Sequence, residues 1–139
     1  MDDQELQRKF QVFESQIMGL QQQLQAVDQA MVELKQLHLS LDDLKGNEGK
    51  EVLAPIGRGV YAKTKLSSED LVIDIGNKTY VDKSIPGTKE IISEQIKKLE
   101  NSKVDLNREL ENLNQEITRT FLEHQKLHQG HEGHEHHHH

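Results

Sequence analysis

The sequence predicts an α+β chain: a long antiparallel helical hairpin, a coiled coil, with two small β-hairpins inserted between its helices. Three observations lead there. Apolar residues recur at alternating steps of three and four in two stretches of nearly equal length, one towards each end of the chain. Between those stretches the period falls to two and glycines cluster. Only 33% of the 139 residues are hydrophobic, with three Phe and no Trp, which is too little bulk for a wide globular core.

The first helix occupies the segment 1–46. Residues 4–44 hold no Pro and one Gly, Gly19, which costs about 1 kcal/mol against Ala without ending a helix this long. Leu6, Phe10, Phe13, Ile17, Leu20, Leu24, Val27, Met31 and Leu34 form the stripe, and His38 and Leu41 continue it. A mean step of 3.5 residues keeps a narrow seam on one face, enough to bury one partner helix. Leu37 and Leu44 widen the apolar face where the helix meets other structure, and Gly46-Asn47-Glu48-Gly49 ends it.

The segment 47–86 reads as paired β-hairpins. Val52-Leu53-Ala54-Pro55-Ile56 and the run from Val60 to Leu66 flank Gly57-Arg58-Gly59, while the run from Leu71 to Ile75 and that from Thr79 to Lys83 flank Gly76-Asn77-Lys78. Pro55 lacks an N–H, so its strand is an edge or carries a bulge. Leu71, Ile73 and Ile75 are expected on one face. Two hairpins of this size cannot build a core of their own and leave strand edges open, which calls for other subunits. The expected subunit-interface residues are Val52, Leu53, Ile56, Val60, Leu71, Ile73, Ile75 and Val81.

The second helix is expected over 87–128, opening at Pro86-Gly87-Thr88 with Ser84 or Thr88 as its N-cap. Its stripe runs Ile92, Ile96, Leu99, Lys103, Leu106, Leu110, Leu113, Ile117, Thr120, His124 and Leu127. Lys103 breaks the seam, with Val104 one position away. Folding the chain at its middle sets Leu41 by Ile92, Leu20 by Leu113 and Leu6 by Leu127, a single register from end to end. A parallel homodimer would leave the second stripe without a partner. The segment 129–139 reads as a disordered His-rich tail, compatible with a native tail or a purification appendage, and is assigned no metal.

Charge and motifs exclude several classes. The formal net charge of −7 disfavours nucleic acid and anionic membranes as partners. No apolar run suits a membrane span, and the start lacks a signal-peptide pattern, so the expected location is cytoplasmic. Gly57-Arg58-Gly59 has neither the spacing nor the Lys-Ser/Thr of a phosphate loop. The carboxylates are solvated helix-face groups. We expect no enzyme, no catalytic residues and no cofactor.

The arrangement resembles the prefoldin family, and its alpha-type subunits in particular. The likeness is carried by the run from Val52 to Lys63, by Leu71-Val72-Ile73-Asp74-Ile75-Gly76 and by Tyr80-Val81-Asp82-Lys83-Ser84-Ile85. Arg58 and Tyr61 depart from the small residues and Phe usual in that hairpin. The resemblance implies an ATP-independent co-chaperone in which two alpha-type subunits join four beta-type subunits. Their strands would form a β-barrel platform carrying six coiled-coil arms. Such particles hold non-native client proteins and pass them to a group II chaperonin. Both chain termini fall at the arm's far end, where Leu6, Phe10, Phe13, Phe121 and Leu127 are the expected client-binding residues, loosened by polar Thr120 and His124. A structural coiled-coil adaptor or filament-forming scaffold that binds no clients is the alternative.

Overall fold

The computed structural model describes the backbone of residues 2–136 and side chains through Leu127. Its elements run α1 (Asp3–Ser40), a 3-10 turn (Leu41–Leu44), β1 (Glu51–Gly57), β2 (Val60–Lys65), β3 (Leu71–Gly76), β4 (Thr79–Lys83) and α2 (Ile85–His136). Each boundary has a local cause. Asp2 caps α1, its Oδ1 accepting the Glu5 N–H at 2.7 Å. The 3-10 turn is stopped by a reversal in which Lys45 is extended, Gly46 sits at φ 73° and the Asn47 N–H donates to the Leu44 carbonyl at 3.2 Å. That left-handed position is one that glycine takes without steric cost.

Of the two expected caps of α2, Ser84 serves. Its Oγ accepts the Gly87 N–H at 3.1 Å, and its carbonyl accepts both the N–H and the hydroxyl of Thr88. Pro86 then lies in the first turn, where a missing N–H does no harm. The helical backbone continues past the expected end at 128 to His136, since no Pro lies beyond Pro86 to stop it. The expected disordered tail over 129–139 otherwise lies outside the described residues.

The chain divides into two compact units, residues 1–28 with 101–139, and residues 29–100. In the first, the outer halves of the two helices pair antiparallel: Asp3 meets His124 at 3.4 Å and Asp28 meets Lys103 at 2.7 Å. Every expected seam position here from Leu6 to His124 is buried or half-buried, with Phe13 and Leu113 deepest among the apolar ones. Lys103 stays in the seam by bending its ammonium out to Asp28, the snorkelling open to a long stem.

In the second unit, Leu41, Ile85 and Ile92 form a core onto which Leu34, Leu44, Leu71 and Ile96 pack. Of the two residues expected to widen this end of α1, Leu44 joins the core and Leu37 stays exposed. Glu69, from the loop joining the hairpins, accepts the Gly46 N–H and ties that loop to the end of the 3-10 turn. The Gly49 N–H donates to the Leu66 carbonyl and the Leu66 N–H to that of Lys50, lengthening the first hairpin by one step.

Each hairpin is its own two-stranded antiparallel sheet. No barrel closes among the described residues of the single chain. The first hairpin shifts register between Pro55 and Gly57, so the proline is at once in an edge strand and beside a bulge. The second shifts between Asp74 and Gly76. That bulge takes Ile75 off the face of Leu71 and Ile73 and leaves it 61% exposed, a correction to the plain alternation expected.

Candidate functional site

Two surfaces carry the residues singled out from the sequence. The first lies in the paired helix ends. Phe10 and Phe13 are neighbours on one face of α1, with ring centroids 6.2 Å apart and planes tilted by 58°. Phe13 is a seam residue at 6% exposure, while Leu6 and Phe10 are half-buried. Phe121 and Leu127 are 47% and 58% exposed. Phe121 falls one position beyond seam residue Thr120, so the helix turns its ring out of the seam. The structure therefore separates the five residues into one built into the seam, two at its margin and two open.

Thr120 is buried and His124 nearly so, which makes consecutive seam layers polar where the helices pair last. Sequence reasoning missed Val12, Met18 and Leu122, each more than half exposed on this unit. The signal was available: all three are apolar residues standing off the three-and-four stripe.

The second surface is the strands. Leu53, Ile56, Val60 and Ile75 are exposed, whereas Val52, Ile73 and Val81 are half-buried on the opposite faces. Leu71 packs against the chain's own core. Tyr61, Val72 and Tyr80 join the open set and were not foreseen, although Val72 follows from plain alternation with Leu71 and Ile73. Both turns hold their central residues at positive φ, Arg58 and Gly59 in one, Asn77 and Lys78 in the other, matching the strand twist.

Among the described residues no three His, Cys, Asp or Glu side chains gather as a metal site, and no helix is long and apolar enough to cross a membrane. Each ion pair has at least one exposed carboxylate. What the fold defines is a pair of long helices joined through two β-hairpins, with apolar side chains left open on both parts.

That class has a family. The family described as "Prefoldin subunit" matches residues 13–130. The chain belongs to the prefoldin family, as a subunit of the archaeal alpha type. It is 36% identical over 84 residues to "Prefoldin subunit alpha" of Methanobrevibacter smithii, covering 60% of this chain and 58% of that one. To the Methanococcus maripaludis protein of the same name it is 27% identical over 117 residues, covering 81% and 80%. The Methanobrevibacter smithii and Methanosphaera stadtmanae relatives are each matched over little more than half their length. A chain of the "filamentous PFD from Methanocaldococcus jannaschii", solved by electron cryo-microscopy, superposes with a TM-score of 0.76 at 24% identity, covering 84% of this chain and 98% of that one, a likeness of fold.

Proposed function

We propose that this chain is a subunit of an ATP-independent cytoplasmic co-chaperone that holds non-native proteins and passes them to a group II chaperonin. In this reading its strands join those of beta-type subunits, two alpha-type with four beta-type, to close the barrel that one chain leaves open. The observation that carries client capture is the set of open apolar side chains on the paired helix ends, Phe121 and Leu127 above all, beside seam layers made polar by Thr120 and His124. Each open Phe or Leu contributes about 1–3 kcal/mol on burial against a client, before ordering costs. Binding is weak at one arm and gains by multivalency when several arms hold one chain.

The test replaces Phe10, Phe121 and Leu127 by Ser in every copy of the chain. Protection of an unfolded client from aggregation should fall several-fold while particle mass by light scattering stays constant. Phe10 is half-buried, so circular dichroism must accompany the assay. Loss of about a tenth of the helix signal would mean that the last turns have unzipped, and a variant limited to Phe121 and Leu127 then carries the test. Full protection by both variants would move client capture elsewhere and favour the scaffold, a role for which the filament named in the Methanocaldococcus jannaschii structure offers a precedent in fold.

A further inference from the structure

Gly19 stands in the interior of α1 without a cause inside the chain. Its backbone is helical rather than left-handed, and a Cβ built there would meet nothing within 4 Å. Neither turn geometry nor close packing therefore calls for glycine, which is among the least favourable residues inside a helix. Yet the position is half-buried. It lies in a groove of about 510 Å³ along one edge of the paired helices, floored by Leu20 and Leu113. A second groove, over Val27 and Leu106, continues it through the shared Gln23, and Ala26 again offers a small side chain there. A glycine over an apolar groove leaves room for close approach by a chain from outside.

The two rims of the groove differ in charge. α1 contributes the neutral Gln16 and Gln23, and α2 contributes Glu109 and Glu116. Both carboxylates are exposed, and among the described residues neither enters an ion pair. No lysine or arginine lines either groove among the described residues. Of the nearby cations, Arg108 reaches Asp105 of the second groove at 3.7 Å, and Lys103 bends away to Asp28. Arg119 lines a separate surface of α2 with Leu122. Paired helices commonly set opposite charges across the edges of their seam. At this edge two carboxylates face amides, and the cations they would attract are missing from the chain itself.

We propose that this edge binds segments of non-native proteins in which an apolar side chain is flanked by two cations, the apolar group entering beside Gly19 and the cations meeting Glu109 and Glu116. The inference rests on the reading of the chain as a holder of non-native proteins, and it adds to the open helix ends a site with a stated preference. The spacing fits. Seven helical residues set the two carboxylates about 10 Å apart along α2. In an extended segment residues i, i+2 and i+4 share one face and span about 13 Å, a difference that flexible lysine stems take up. The sequence Lys-Ala-Leu-Ala-Lys thus presents all three groups at once.

Labelled peptides containing Lys-Ala-Leu-Ala-Lys or Glu-Ala-Leu-Ala-Glu, titrated against the full chain by fluorescence anisotropy, test it. The lysine peptide should bind the parent at least about fivefold more tightly than the glutamate peptide, and the gap should close as salt is raised. Glu109→Gln combined with Glu116→Gln should abolish the preference. Gly19→Leu should weaken binding of the lysine peptide by a similar factor while raising the melting temperature by a few degrees, since leucine is the better helix former. Binding lost from a more stable protein is not a loss through unfolding. Equal binding of the two peptides, or a Gly19→Leu variant that binds as the parent does, overturns the proposal. A fall in particle mass with Gly19→Leu overturns it too, because the groove then belongs to a second copy. A client-aggregation assay run in parallel separates the two readings. If the parent protects clients while all variants bind the lysine peptide as it does, the groove is wrong and capture at the helix ends stands. If the parent protects no client but binds the lysine peptide, and the variants lose it, the groove stands and the co-chaperone reading fails.

Discussion

Asp42 shows how much a single exposed side chain contributes to joining the elements. It sits in the 3-10 turn that ends the first helix and accepts hydrogen bonds from Lys89 of α2 and from Lys45. The Lys89 bond first, then that of Lys45, holds its carboxyl below the ordinary 3.8. A carboxyl depressed in the folded state stabilises the fold above its unfolded value, and that contribution is lost as pH falls through the lower folded value. Asp42→Asn should therefore melt below the parent at neutral pH, and the difference should shrink as thermal melts are taken down through pH 4 and vanish in stronger acid. Lys78 is a second case. It holds φ 59° in the β3–β4 turn, a conformation that costs a side-chain-bearing residue about 1 kcal/mol or more and glycine little. Lys78→Gly should raise the melting temperature by a few degrees, a direction opposite to the usual effect of glycine.

At the scale of the element, the helices are defined by their seam and by its exceptions. Lys103 is half-buried where a leucine would fit, and its pair with Asp28 is about half exposed at each side chain. An ion pair of that kind contributes about 0–1 kcal/mol. Burying a leucine stem at the same place contributes about 1–2 kcal/mol, and Asp28, released into solvent, costs little. Lys103→Leu should therefore stabilise the paired helices, read as a higher midpoint in urea with an unchanged slope. The stripe itself was legible in the sequence because a helical period leaves a spacing that survives substitution of any one residue. The capping roles of Asp2 and Ser84 were less so. Many Asp and Ser residues precede helices, and only the bond to the third N–H distinguishes a cap.

At the scale of the molecule, the chain leaves unfinished what a globular protein would close. Its hairpins are two-stranded, and their apolar residues divide between one half-buried face and one open face. Two-stranded sheets are marginal in water, so they are expected to be completed by other subunits. Ile73→Asp places a charge on the half-buried face, where desolvation without a partner costs several kcal/mol. Particle mass by light scattering should fall towards that of the single chain while the helix signal persists. Unchanged mass would take that face out of the interface.

By itself the sequence determined the helical stripes, the break at Lys103, the two hairpins and the turns that close them, because each follows from local spacing or from backbone conformations open to few residues. The family too was legible in the middle third, where strand and turn residues are constrained together. Only the tertiary structure decided which side chains remain open. Phe13 and Phe121 are alike in type, yet one is sealed in the seam and the other turned out by a single step along the helix. Ile73 and Ile75 obey the same alternation until a bulge separates them. Exposure depends on what packs opposite each residue. That is a property of two distant stretches of chain at once, and no periodicity within either stretch contains it.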